Sequence, residues 1–232
     1  MAKTPGKAIA LIRKSPEYQQ LNDTSFSVEA ADQALRLVWN AYPWRQSLVE
    51  FPPFYMTPNE PDHAAPDIQI PSNYFSLEKA WVRSIWGEEW PLTVTRNLYP
   101  SSFCSRPTSI CYQPEISGFR LHPTPADGWG APYYYIEAVY KKKPTAITDD
   151  TLNTYELPLE DEYFDLYLQA LRYKYFDLLS DQRAGNVQVS SGQAIHTGQY
   201  GKFVARLREV ISQEEMNRGE RSIAPESGLA LG

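Results

Sequence analysis

The chain reads as an α+β protein: N- and C-terminal helices forming a bundle, an antiparallel β-sheet or sandwich inserted between them, and a flexible C-terminal tail. Three observations carry this reading. Apolar residues recur at helical intervals near both ends, the middle holds short apolar or aromatic runs punctuated by proline, and the residues after Gly219 are small and polar. The corresponding segments are 1–43, 44–150, 151–218 and 219–232. An amphipathic helix buries its apolar face, and the nearest partners for an N-terminal helix are the two C-terminal ones.

Thr4-Pro5 is an N-cap followed by proline at the first helical position, which opens a short helix to about Lys14. Ser15-Pro16-Glu17 repeats that signal for a further turn or two. Ser27 is then expected to cap a helix with Val28, Ala31, Leu35, Val38, Trp39 and Tyr42 on one face, ended by Pro43. From Trp44 the period changes to short runs: Leu48 to Tyr55, Asp67 to Ile70, Leu77 to Trp86, Leu92 to Tyr99, Ile116 to Leu121 and Tyr133 to Lys142. The last is the clearest strand, with Tyr134, Ile136, Ala138 and Tyr140 on one face, preceded by the turn Asp127-Gly128-Trp129-Gly130. Helical spacing returns from Leu159 to about Asp181, apolar nearly all round, with Phe164, Leu168, Leu171, Tyr175 and Leu178 on one side. Gly185-Asn186 and the stretch Ser190 to Gly192 break it. A final helix, about Thr197 to Asn217, carries Tyr200, Phe203, Val204, Leu207, Val210 and Ile211 on one face.

A chain of 232 residues with 42% hydrophobic content can bury on the order of 70% of its unfolded surface. Its 13% aromatic content excludes disorder throughout. No stretch approaches the ~20 apolar residues of a membrane span, and Ala8 to Ile12 is too short for a signal-peptide core. A soluble protein made in the cytoplasm is expected. With 22 basic and 28 acidic residues the net charge is −6, which excludes tight phosphate-backbone binding of nucleic acid. Nineteen prolines favour short strands and turns, while 16 tyrosines and 6 tryptophans suit contact surfaces as well as core edges.

Catalytic signals are thin. Cys104 and Cys111 lack the further ligands of a zinc site, and His63, His122 and His196 are the only histidines, so no metal or cofactor is expected. His122 with Asp127 five residues on reads as structural, and His196 has no carboxylate beside it. No nucleophile elbow, phosphate-cradling loop or zinc-protease motif occurs, and Gly6-Lys7 lacks the rest of a P-loop. The acidic groups Glu88-Glu89, Asp149-Asp150 and Glu160-Asp161-Glu162 supply the minimum for cleaving a glycan. The last set reads more simply as first-turn acids complementing a helix dipole. Lys141-Lys142-Lys143 is the one basic run, either a solvated strand end or a contact for acidic partner residues or passing DNA. Gly228-Leu229-Ala230-Leu231-Gly232 is an apolar patch that a solvated tail does not need, which marks Leu229 and Leu231 as candidate interface residues.

The order of these features resembles the head-to-tail adaptor proteins of tailed bacteriophages. Leu35 to Trp44, a helix ending in an aromatic patch, is similar to the family's opening segment. Asp67-Ile68-Gln69-Ile70-Pro71 is similar to its extended strand entry, and Tyr135 to Pro144 to its tyrosine–basic–proline strand end. Leu157-Pro158, the enclosed helix and the last helix resemble its C-terminal half, so the likeness covers about residues 24 to 217. The proline-rich segment Pro52 to Pro66 is longer and stiffer than the family pattern.

That resemblance implies a structural, non-enzymatic virion protein of the neck or tail. It would be one of twelve copies in a ring joining the portal to the tail nozzle, with tail fibres as a further neighbour. Double-stranded DNA would pass through the channel without specific binding, and no membrane is involved. An acidic wall does not hold the phosphates, so the genome can slide. The resemblance also implies a C-terminal extension reaching the portal, with Leu229 and Leu231 in a groove on it. Two other classes stay open: a peptidoglycan-degrading virion enzyme, and a carbohydrate-binding β-sandwich with a Trp/Tyr-lined groove.

Overall fold

The computed structural model describes residues 3–66, 68–99, 103–160, 163–190 and 193–217. The fold is mixed α+β, and the chain divides into two compact units. One comprises Met1–Tyr42 with Thr145–Gly232, and the other is Pro43–Pro144.

The first unit is helical. Helix α1 (Pro5–Ile12) starts as its sequence dictates, with the Thr4 hydroxyl accepting from the Lys7 N–H at 3.2 Å. A 3₁₀ helix over Pro16–Asn22 follows. Helix α2 (Thr24–Ala41) begins earlier than expected: Asp23, not Ser27, is its N-cap, accepting from the Phe26 N–H at 3.1 Å. A carboxylate at the N-cap satisfies an orphan N–H and complements the dipole. Ser27 instead lies buried inside the helix and donates to the Leu21 carbonyl at 2.7 Å. The buried stripe runs Ser27, Ala30, Ala31, Ala34, Leu35 and Val38, so small residues bring the backbone close to its neighbour.

That neighbour is helix α3 (Phe164–Leu178), whose Tyr167 hydroxyl donates to the Ala31 carbonyl at 3.1 Å. Its buried set is Leu166, Tyr167, Ala170, Leu171, Tyr175 and Phe176. Phe164, Leu168 and Leu178 are only half-buried, so α3 has a narrower buried stripe than the enclosed helix expected from its composition. It also starts later. Its first-turn acid is Asp165, Glu160 precedes the helix, and Asp161 and Glu162 lie outside the described residues. Helix α4 (Gly198–Asn217) packs on α3 through Phe203, Val204, Leu207 and Val210. One turn farther on, the buried Glu214 carboxylate accepts the Tyr163 hydroxyl.

The second unit holds a seven-stranded sheet. Its strands are β1 (Leu48–Tyr55), β2 (Asp62–His63), β3 (Tyr74–Ser84), β4 (Glu89–Val94), β6 (Ser109–Gln113), β7 (Gly118–His122) and β9 (Tyr134–Lys142). Their spatial order is β1-β9-β3-β4-β6-β7-β2. Pairing is antiparallel except β4 with β6, which run parallel. A parallel pair needs a long crossover, and this one spans the residues between Val94 and Ser109. The short strands β5 (Cys104–Ser105) and β8 (Thr124–Pro125) form a separate parallel pair.

Strand β1 shows how sequence sets position. Pro52 and Pro53 lack N–H groups, and the strand lies at the sheet edge with its register shifted between Phe51 and Phe54. The shift turns both phenylalanines inward onto Phe119, at centroid distances of 5.3 and 5.7 Å. Val82, Ile110, Leu121, Ile136 and Ala138 complete that core. The expected strand near Ile68–Ile70 is not formed, and Asp67 lies outside the described residues.

One further element occupies part of the stretch that the sequence presents as a break. Strands β10 (Val187–Ser190) and β11 (Gln193–His196) pair as an antiparallel hairpin in the helical unit. Gly185 and Gly198 meet at its base, both at positive φ, where a Cβ on Gly185 would lie 1.9 Å from the Thr197 carbonyl oxygen.

Candidate functional site

The three lysines of the basic run occupy three different environments. Lys142 pairs with Tyr74 and Lys141 with Ser76 across β9 and β3, and the Lys143 N–H donates to the Asn73 carbonyl at 2.7 Å. A register shift between Tyr74 and Ser76 leaves Phe75 in a bulge, with its ring centroid 5.7 Å from the Lys141 Nζ. Lys141 is only 3% exposed. Burial lowers its pKa to about 8, against the opposing charge of Glu78. Lys142 is half-buried and Lys143 exposed, so a solvated strand end describes Lys143 and not Lys141. Beside them lies a cavity of about 380 Å³ lined by Tyr74, Phe75, Leu77, Val94, Arg96 and Tyr112. It occupies the space where β3 and β4 part, because their pairing stops at Ala80 with Leu92.

The opposite end of β3 carries an aromatic tip. The strand ends at Ser84, so Trp86 sits in the turn to β4 rather than in the strand. Trp86 is 62% exposed and stacks on Tyr133 at 5.3 Å and 14°. Trp129, packed against Tyr134 at 4.6 Å and Trp90 at 5.4 Å, stands behind them. Gly87 has φ +87° and open space around the position a Cβ would take, so the turn projects outward. The Glu88 N–H donates to the Ser84 hydroxyl at 3.1 Å, and Glu89 pairs with Arg83 at 2.8 Å. Sequence reasoning missed this tip. Its signal was a glycine directly after a large apolar residue, between two alternating runs.

In the helical unit, α2, α3 and α4 border a third surface. It is a mainly apolar cavity of about 300 Å³ with Leu37, Tyr200, Phe203 and Leu207 in its wall and Arg36 and Lys174 at its rim. Both cations have local partners, Asp32 at 2.6 Å and Asp177 at 2.7 Å.

The candidate catalytic residues are dispersed. Among the described residues no cluster of His, Cys, Asp and Glu is arranged to hold a metal ion. His63 is buried, its Nε2 accepting from the Thr57 N–H at 2.9 Å, and His196 packs edge-on to Tyr200. Cys104 is exposed and Cys111 buried, both as free thiols. The Cys111 thiol donates to the Arg96 carbonyl at 2.9 Å, and burial raises its pKa, which disfavours a reactive thiolate. Glu88-Glu89 lie at the aromatic tip and Asp149-Asp150 in the turn after β9. Leu229 and Leu231 lie outside the described residues.

Comparison with known families matches residues 11–225 to the SU10 adaptor protein. The chain belongs to the SU10 adaptor family. No curated protein matches it. Membership identifies a phage head-to-tail adaptor protein, and implies a structural component of the virion neck that associates with portal and tail proteins in an oligomeric assembly. The match spans both the helical and the β unit. The aromatic tip, the cavity at the other end of β3 and the helical cavity are the three candidate surfaces of this SU10 adaptor. Among the described residues no helix is long and apolar enough to cross a membrane.

Proposed function

We propose that the protein forms a ring, of twelve copies by the family resemblance, that joins the portal to the tail nozzle and leaves an axial channel for double-stranded DNA. The family match over residues 11–225 carries this reading. The chemistry of the chain supports it. A net charge of −6 gives the channel wall no grip on phosphates, so the genome slides past without specific binding. Exposed aromatic residues at Trp86, Tyr133 and Tyr55 supply the kind of surface that stable interfaces bury. In this reading the N- and C-terminal helices close as one bundle on which the ring is built. The protein acts without cofactor or catalytic step, and the virion neck is its location after synthesis in the host cytoplasm. The segment 219–232 reaches the portal, with Leu229 and Leu231 as its apolar anchors. Weak contacts from each copy sum to a tight attachment through multivalency.

The test is complementation in vitro. Phage lacking this protein should accumulate DNA-filled heads without attached tails, and adding the purified chain should restore tail joining and infectivity. Normal tail attachment without the protein would overturn the reading.

A further inference from the structure

The two ends of strand β3 carry opposite surfaces. At one end the turn Ile85–Glu89 projects two apolar side chains, Ile85 at 55% and Trp86 at 62% exposure, and two carboxylates, with no cation in the turn itself. Arg83, just before it, is held between Glu89 and Glu137 at 2.8 and 2.9 Å, and Arg106 lies over the Trp90 ring behind the tip, so three carboxylates stand against two cations and acid predominates. At the other end lies the cavity walled by Tyr74, Phe75, Leu77 and Tyr112. Exposed Arg96 lines that cavity, exposed Lys143 is tied through its N–H to Asn73, next to Tyr74 of the cavity wall, and Glu78 is the acid that faces buried Lys141. Eleven residues of strand separate the two ends, about 33 Å at the usual rise. One copy cannot fold its own tip into its own cavity across a rigid sheet.

We propose that these ends bind each other between copies: the Trp86 tip of one subunit seats in the Tyr74–Tyr112 cavity of the next, with Glu88 facing Arg96 and Lys143. This deepens the ring reading and rests on it. The occupant is a second copy of the same chain because the tip is acidic where the cavity mouth is basic, and because an aromatic knob and an aromatic-walled cavity, with Ser76 and Thr95 also in its lining, occur on one molecule. Two tips meeting face to face would set carboxylate against carboxylate, which disfavours a two-fold contact. A head-to-tail contact between different patches repeats with each added copy and closes into a ring when the rotation allows. The cavity walls are suited to an indole. Phe75 and Tyr112 offer aromatic faces for edge-to-face packing, and the Arg96 guanidinium can lie over the Trp86 ring. Lys143 then has the role its sequence pattern left open, and buried Lys141 supports the strand end.

Paired cysteines test the contact. In a Cys104→Ser background, Glu88→Cys and Lys143→Cys are placed singly and together, and the full chain is mixed with the purified portal ring and oxidised. The double variant should give a ladder of covalent oligomers on non-reducing gels, and each single variant should stay monomeric. A charge exchange gives a second readout. Glu88→Lys should reduce the copies retained on the portal at least tenfold, and adding Lys143→Glu in the same chain should restore most of them, with unchanged thermal melts showing intact folds. No ladder from the double variant, while the unmodified chain still forms rings on the portal, would overturn this contact and leave the ring reading standing. Cross-linking by Glu88→Cys alone would also overturn it, because the tips would then meet each other. If the unmodified chain forms no ring at all, the ring reading fails first and this contact with it.

Discussion

Replacing Lys141 by methionine should stabilise the protein at neutral pH, and the gain should vanish in alkali. The Lys141 ammonium is 3% exposed, and burial brings its pKa from 10.5 down to about 8. Each pH unit of such a change is worth 1.36 kcal/mol, so the buried charge costs about 3 kcal/mol at most. Residual solvation reduces that figure, and methionine forfeits the contact over Phe75, worth about 0.5–1 kcal/mol. A net gain on the order of 1–2 kcal/mol is expected. Below about pH 8 both folded and unfolded chains carry the proton, and the folded wild type bears the full cost. Between about pH 8 and 10.5 the folded lysine has released its proton while the unfolded one keeps it, so wild-type stability rises with pH. Above that window both are neutral and the cost is gone. The methionine variant lacks this dependence, and other groups titrate alike in both chains. Urea unfolding at pH 7 and pH 10 should therefore show the two stabilities converging as pH rises. A difference that is the same at both pH values would refute the buried-charge account.

Leu35→Ala and Leu207→Ala remove fully buried side chains from α2 and α4, and each should cost about 2–5 kcal/mol in denaturant titrations. Asp23→Ala deletes the true cap of α2 and should cost about 1 kcal/mol, measured by thermal melting. Tyr163→Phe withdraws the hydroxyl that Glu214 accepts in a buried setting, and should destabilise by about 1–3 kcal/mol at neutral pH. Deleting residues 219–232 should leave the melting temperature unchanged but weaken retention on the portal, and undiminished retention would return Leu229 and Leu231 to a solvent-facing role.

Elements with a single strong period were legible in the sequence. Strand β9 alternates without interruption, and the outcome, with Ile136, Ala138 and Tyr140 inward, follows from that alternation. Helix α2 was legible as a helix, yet its start was not, because Asp23, Thr24, Ser25 and Ser27 all cap well and only the fold selects among them. The hairpin β10–β11 was hidden by its composition. Val187 and Val189 alternate over only four residues, and Ser191-Gly192 between the strands reads equally as loop or hairpin turn. The parallel pairing of β4 with β6 rests on contacts across a long connection, which local pattern does not encode. The candidate surfaces were half legible. Three consecutive lysines are visible at once, but the burial of Lys141 comes from a bulge in the neighbouring strand. The tip and the cavity gain meaning only when β3 is seen to join them.

The most direct measurement is an electron micrograph of purified portal rings before and after addition of this protein. The account predicts an added ring of density on one face of the portal, with an open axis and a copy number matching the portal's symmetry. Portals that emerge unchanged, or that gain density closing the axis, would contradict it.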